Sequence, residues 1–145
     1  YWHPGYAWAY TRKSWDNLGC LIDWAILGGA DLFMARALTN INKLLPQSLG
    51  DSGQRWYEIW QDRANKYIKG NVGCVDGTLL HYWHGKKSNR KYKDRGQILT
   101  SCDFCPELDL KKDWQQLWQL TDRSPKLRDE IRSYMRGRQE DSIDI

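Results

Sequence analysis

The chain has 145 residues, 41% hydrophobic and 28% charged, which fits one globular domain with its own core and excludes wholesale disorder. Its longest apolar runs, such as Ala25–Leu27, fall far short of the ~20 residues of a membrane-spanning helix. The net charge is +4, but Lys86–Arg95 reads KKSNRKYKDR and alone nets +5, so the rest of the chain nets −1. That distribution suits a local anionic partner better than a basic coat.

The opening, Tyr1-Trp2-His3-Pro4-Gly5, has no basic or apolar leader and no initiator Met, and reads as if upstream sequence were missing. Tyr6–Tyr10 then reads as a strand after the Pro4-Gly5 turn. Ser14 is placed to cap a short helix running to Leu18-Gly19. The apolar run Trp24–Leu27 ends at Gly28-Gly29, and Asp31 opens a helix to about Leu38. Phe33, Met34, Ala37, Leu38 and Ile41 form its expected buried stripe. Pro46 to Gly53 reads as a loop in which Ser52 caps an amphipathic helix. One face of that helix carries Trp56, Trp60, Ala64 and Tyr67; the other carries Glu58, Asp62 and Lys66.

Asp76-Gly77 is a turn signal, and Thr78–Trp83 reads as a strand. Gly85 to Asn89 is expected as a loop, followed by a helix from about Tyr92 to Leu99. Ser124-Pro125 starts a last helix with Leu127, Ile131, Tyr134 and Met135 inward. Residues 140–145 are expected as a disordered acidic tail behind one domain spanning 1–139. The fold class expected is α/β, helix-rich with few strands.

Nine Trp and eight Tyr stand against two Phe. Their rings combine an apolar face with a polar tip, which suits sugar faces and nucleobases, although most are expected in the core. Cys20, Cys74, Cys102 and Cys105 are spread too widely for a disulfide framework, so reduced thiols and a cytoplasmic compartment are expected.

Three constellations could carry chemistry. His81-Tyr82-Trp83-His84-Gly85 runs directly into the basic segment. Two imidazoles suit a divalent metal, and a diphosphate between metal and cations would reconcile their charges. The plainer account is two ordinary histidines beside a solvated charge run. Gly28-Gly29-Ala30-Asp31 lets the backbone approach a ligand closely and sets a carboxylate at a helix N-terminus. Such a carboxylate can take a proton from a hydroxyl; equally, acids are common in first turns. Cys102-Asp103-Phe104-Cys105 could join His81 and His84 in a Cys2His2 zinc site, though the order reverses the usual finger.

HPGYAWAYTRKSWDNLGCLIDWAILGGAD, LLHYWHGKKSNRKYKDRGQIL, FCPELDL and IRSYMRGRQED follow in that order and are spread along nearly the whole chain, from His3 to Asp141. Together they resemble the C-terminal half of GT-A-type glycosyltransferases. The nearest resemblance is to a bacterial and phage glycosyltransferase-like group, with more distant similarity to animal beta-galactosyltransferases. The resemblance implies the C-terminal part of a nucleotide-diphospho-sugar transferase fold whose N-terminal nucleotide-binding half is absent.

It further implies metal-dependent, inverting transfer from a nucleotide-sugar donor, a UDP-sugar, to a glycan or other hydroxyl acceptor. By resemblance Asp31 is the catalytic base, and His81 and His84 are metal ligands for Mn, with Mg an alternative. Gly5 and Tyr6 match the donor-binding strand. Lys86, Lys87, Asn89 and Arg90 match the phosphate loop approximately. Gly28 and Gly29 match the acceptor loop, with Trp24 as a sugar cover in place of the family's loop Trp, where Leu27 stands here. The family's Asp-x-Asp motif is absent, so the chain alone is expected to be inactive. Two readings from other classes stand beside it: a zinc-stabilised nucleic-acid-binding module, and a non-catalytic glycan-binding domain. On the transferase reading no nucleic acid is expected as partner.

Overall fold

The computed structural model describes residues 7–41, 49–82, 86–92 and 94–139. These residues form six helices and a two-stranded sheet, a helix-rich mixed α/β architecture. The chain divides into two compact units, Tyr1–Leu45 with Gln54–Leu80, and Pro46–Gly53 with His81–Ile145. No helix among the described residues is long and apolar enough to cross a membrane.

In the first unit, α1 (Arg12–Leu18) is capped one turn earlier than expected. The Thr11 hydroxyl accepts from the Ser14 amide, and Ser14 lies inside the helix. A hydroxyl at N-cap satisfies one of the helix's orphan amides, and Thr11 is the residue with extended backbone. Helix α2 (Ala30–Leu38) buries Phe33, Met34, Ala35, Ala37 and Leu38. Ile41, expected in that stripe, lies beyond the helix end and is 43% exposed.

Helix α3 (Gly50–Tyr67) begins before Ser52, so Ser52 is an interior residue, and its buried hydroxyl lies 3.1 Å from the Cys105 Sγ. In the first unit this helix buries Tyr57, Trp60 and Ala64, while Glu58, Asp62 and Lys66 face solvent. Each large apolar side chain so buried contributes about 2–3 kcal/mol. The Trp60 indole donates to the Cys20 carbonyl at 3.0 Å, and Phe33 meets Tyr57 edge to face at 6.1 Å. Tyr67, expected on the inner face, is the last residue of the helix and is exposed.

Two expected strands are not formed among the described residues. Residues 7–10 have no ladder, although Trp8 and Tyr10 alternate inward and stack at 6.2 Å. Burial pushes the Tyr10 hydroxyl up to about 12. Residues 71–82 are irregular and exposed throughout, with Val75, Leu80 and Tyr82 largely in solvent. Strand-like composition does not make a strand without a neighbour to complete the hydrogen-bond ladder. Tyr6 and Trp83 lie outside the described residues.

In the second unit, α4 (Arg95–Ser101) starts about three residues later than expected. It packs on α6 (Pro125–Gly137), where Ser124 caps by accepting from the Leu127 amide and Pro125 occupies the first turn. Leu127 and Tyr134 are buried, whereas Met135 is 42% exposed. Between them lie α5 (Pro106–Asp109) and an unexpected hairpin, β1 (Leu110–Lys112) with β2 (Trp118–Leu120). The strands pair antiparallel, Leu110 opposite Leu120 and Lys112 opposite Trp118. The expected tail, residues 140–145, lies outside the described residues.

Asp109 organises this part of the unit. The residue is 1% exposed; its carboxylate accepts from the Cys105 amide at 2.8 Å and forms a two-point pair with Arg123 at 2.5 and 2.6 Å. Burial by itself would raise the Asp109 carboxyl. The Arg123 guanidinium and the Cys105 amide more than offset that and hold it below its ordinary value. Nothing in sequence spacing marks this pair, because its partners are fourteen residues apart. Its only local cue is the helix-starting Pro106, with its acid at the end of the same turn.

Candidate functional site

The Gly28–Asp31 segment lies in the first unit. The Gly28 amide donates to the Ala25 carbonyl at 2.8 Å, closing a tight turn after the buried Leu27. Gly28 and Gly29 then follow with φ of 85° and 94°. Both values lie in the left-handed region that side-chain-bearing residues avoid. The reversal lets the chain enter α2 directly, with Gly29 as N-cap and its carbonyl accepting from the Phe33 amide at 3.0 Å. Asp31 therefore stands half-buried in the first turn of α2, as the spacing predicts. Gly29→Ala should cost about 1–2 kcal/mol of folding stability through strain at that φ, measurable as a shift in the urea midpoint.

Trp24 is 5% exposed and packs edge to face on Trp56 at 5.9 Å. Its ring is part of the core beneath the turn, not an open platform.

The second constellation lies in the second unit. His81 is exposed, while His84 lies outside the described residues, as do Gly5 and Tyr6 of the first. The basic segment from Lys86 is a run of tight turns. The Asn89, Arg90 and Lys91 amides donate in succession to the Lys86, Lys87 and Ser88 carbonyls. Lys91 takes a left-handed φ of 44° and its carbonyl accepts from the Arg95 amide, leading into α4. Lys86, Lys87 and Lys91 are exposed. Arg90 is anchored: its guanidinium donates to the Tyr92 hydroxyl at 2.8 Å, and its carbonyl accepts from the Tyr134 hydroxyl at 3.1 Å. The Asn89 Oδ1 accepts from the Ser88 hydroxyl at 3.5 Å. Arg95 lies 4.8 Å above the Tyr92 ring, a cation–π contact that orders the same stretch.

A chain of turns with three exposed lysines and one braced guanidinium can hold an anion along the loop, with backbone order already in place. For a metal, the donor set is the exposed His81 and the undescribed His84. Two imidazoles suit a borderline divalent ion and leave positions for oxygen ligands. Among the described residues, no three His, Cys, Asp or Glu side chains gather where they could hold a metal ion. His81, Cys102 and Cys105 are all described, so the four-ligand zinc site of the nucleic-acid reading does not assemble from them. Cys105 instead faces Ser52, and Cys102 lies 3.8 Å from the Ser101 hydroxyl.

One exposed feature is not apparent from the motifs alone. Trp114 stands 87% exposed on the β1–β2 turn. A usable signal is there: a Lys-Asp-Trp-Gln-Gln stretch breaks two short runs that alternate in character. No family model matches the chain, and neither the curated proteins nor the solved structures contain a match to it.

Proposed function

We propose that this chain is the acceptor- and metal-binding portion of a glycosyltransferase. The reaction is transfer of a sugar from a nucleotide-sugar donor, a UDP-sugar, to a hydroxyl of a glycan or similar acceptor, with inversion. The observation that carries this reading is the double left-handed Gly28-Gly29 turn that delivers Asp31 to the first turn of α2. Open backbone followed at once by a half-buried carboxylate is what a hydroxyl acceptor needs: room to approach and a base at hydrogen-bonding reach.

In this scheme Asp31 accepts the acceptor hydroxyl's proton as the oxygen attacks the donor's anomeric carbon. Gly28 and Gly29 admit the acceptor's ring, and Trp24 supports the turn from the core. Lys86, Lys87, Asn89 and Arg90 bind the donor's diphosphate and balance the charge that builds as it leaves. Gly5 and Tyr6 contact the donor. His81 and His84 would hold a divalent cation, Mn or Mg, which supplies further positive charge for the leaving diphosphate.

The test is sugar transfer by the full-length protein with Mn and a panel of UDP-sugars, followed as UDP release. Release stimulated by the cation supports the proposal; no release from any donor overturns it. His84→Ala should then lower metal-dependent turnover by at least about a hundredfold. Unchanged rate and unchanged response to Mn in that variant would remove His84 from the metal site.

A further inference from the structure

The β1–β2 turn is built to hold one indole in solvent. The Asp113 Oδ1 accepts from the Gln115 and Leu117 amides, both at 2.9 Å, and Oδ2 accepts from the Gln119 side chain at 3.1 Å. Backbone bonds close the same turn from both directions, Asp113 N to Leu117 O and Gln116 N to Asp113 O, each at 3.0 Å. Gln116 takes a left-handed φ of 66°. Trp114 projects from this rigid turn, 87% exposed. A large apolar ring left in water forgoes its burial, and a backbone already ordered loses little entropy when a ligand covers that ring.

The neighbours select the ligand. The side-chain amides of Gln115 and Gln116 are exposed and make no hydrogen bond among the described residues. An exposed indole followed on the same turn by two exposed amides matches a pyranose ring, which presents an apolar C–H face to stack and hydroxyls at its edge to bond. Insertion into a bilayer would dehydrate both amides at the apex of the turn, an expensive step. A single-strand nucleic-acid track needs successive open rings, and the next ring, Trp118, is already covered by the Lys112 ammonium at 4.6 Å.

We propose that the Asp113–Leu117 turn is a glycan-docking site that binds a neutral pyranose oligosaccharide through Trp114, Gln115 and Gln116. It goes beyond the transfer reaction and does not rest on it, since docking needs no nucleotide and no cation.

The test uses the full 145-residue chain, nitrogen-15 labelled, without donor or metal. Cellotetraose, mannotetraose and galactotetraose are titrated in turn while the Trp114 indole N–H resonance is followed. At least one sugar should shift that resonance to saturation. Trp114→Ala should weaken the binding by at least about tenfold, with Trp114→Phe between the two. Gln115→Ala with Gln116→Ala should weaken it further than loss of apolar contact explains. The exposure of Trp114 means these variants keep the fold, which the remaining amide resonances verify. An indole resonance unmoved by all three sugars, or full affinity in Trp114→Ala, overturns the proposal. Trp114-dependent binding to vesicles of equal phosphatidylcholine and phosphatidylglycerol, without a sugar response, overturns it in favour of a membrane contact. Failure of transferase activity leaves this measurement unaffected.

Discussion

Asp31→Asn is expected to lower sugar-transfer turnover in the full-length protein by about two to four orders of magnitude, the usual contribution of a positioned general base. Asn has nearly the same shape and keeps the first turn of α2 intact, yet it cannot take a proton from a hydroxyl. Loss of its charge from a helix N-terminus costs about 0.3–1 kcal/mol of stability, too little to unfold the chain. Donor affinity, measured by UDP-sugar titration, should stay within about twofold, since such a change falls on the reacting centre and not on uniform binding. Donor binding that falls in parallel with turnover would mean that Asp31 acts on structure. Turnover that survives would remove it from the mechanism.

Asp109→Ala should cost about 3 kcal/mol of unfolding free energy, because it strands the Arg123 guanidinium and leaves the Cys105 amide without its acceptor. Arg123 keeps partial access to water, so the loss is set mainly by the buried side of the pair. Removing both partners in Asp109→Ala with Arg123→Ala should recover part of the loss, since no unpaired charge then remains. Urea unfolding of the wild type, Asp109→Ala, Arg123→Ala and the double variant measures this directly; an Asp109→Ala loss under about 1 kcal/mol would contradict the role given to the pair.

The pH dependence has a definite sign. The folded carboxyl is held below its unfolded value of about 3.9. The unfolded chain therefore binds the proton first, and stability rises with pH across that interval. The contribution is complete above the unfolded value and is lost as pH falls through the lower, folded one. Asp109→Asn should flatten that acid limb. An acid limb of unchanged slope in the variant would place its origin in other carboxylates.

What is legible in the residues and what is not divide along the range of the interactions. The start of α6 at Ser124-Pro125, the buried face of α3 through Trp60 and Ala64, and the Gly28-Gly29 entry to Asp31 are all legible in sequence. Each rests on bonds or contacts within a turn or two of the chain, where residue type and spacing suffice. The basic charge of Lys86–Arg95 is equally plain. Its order is not, because Arg90 is anchored in part by Tyr134, forty-four residues away.

Sequence by itself marked five of the six helices among the described residues, capping chemistry at Ser124, the glycine turn and the position of the cationic loop. Tertiary structure alone decided that residues 7–10 and 78–82 form no ladder, that 110–112 and 118–120 do, and that Asp109 meets Arg123. It also sent Trp24 into the core and Trp114 into solvent. A helix closes its hydrogen bonds within its own segment, whereas a strand, a buried ion pair and the burial of a given indole each depend on a partner elsewhere in the chain.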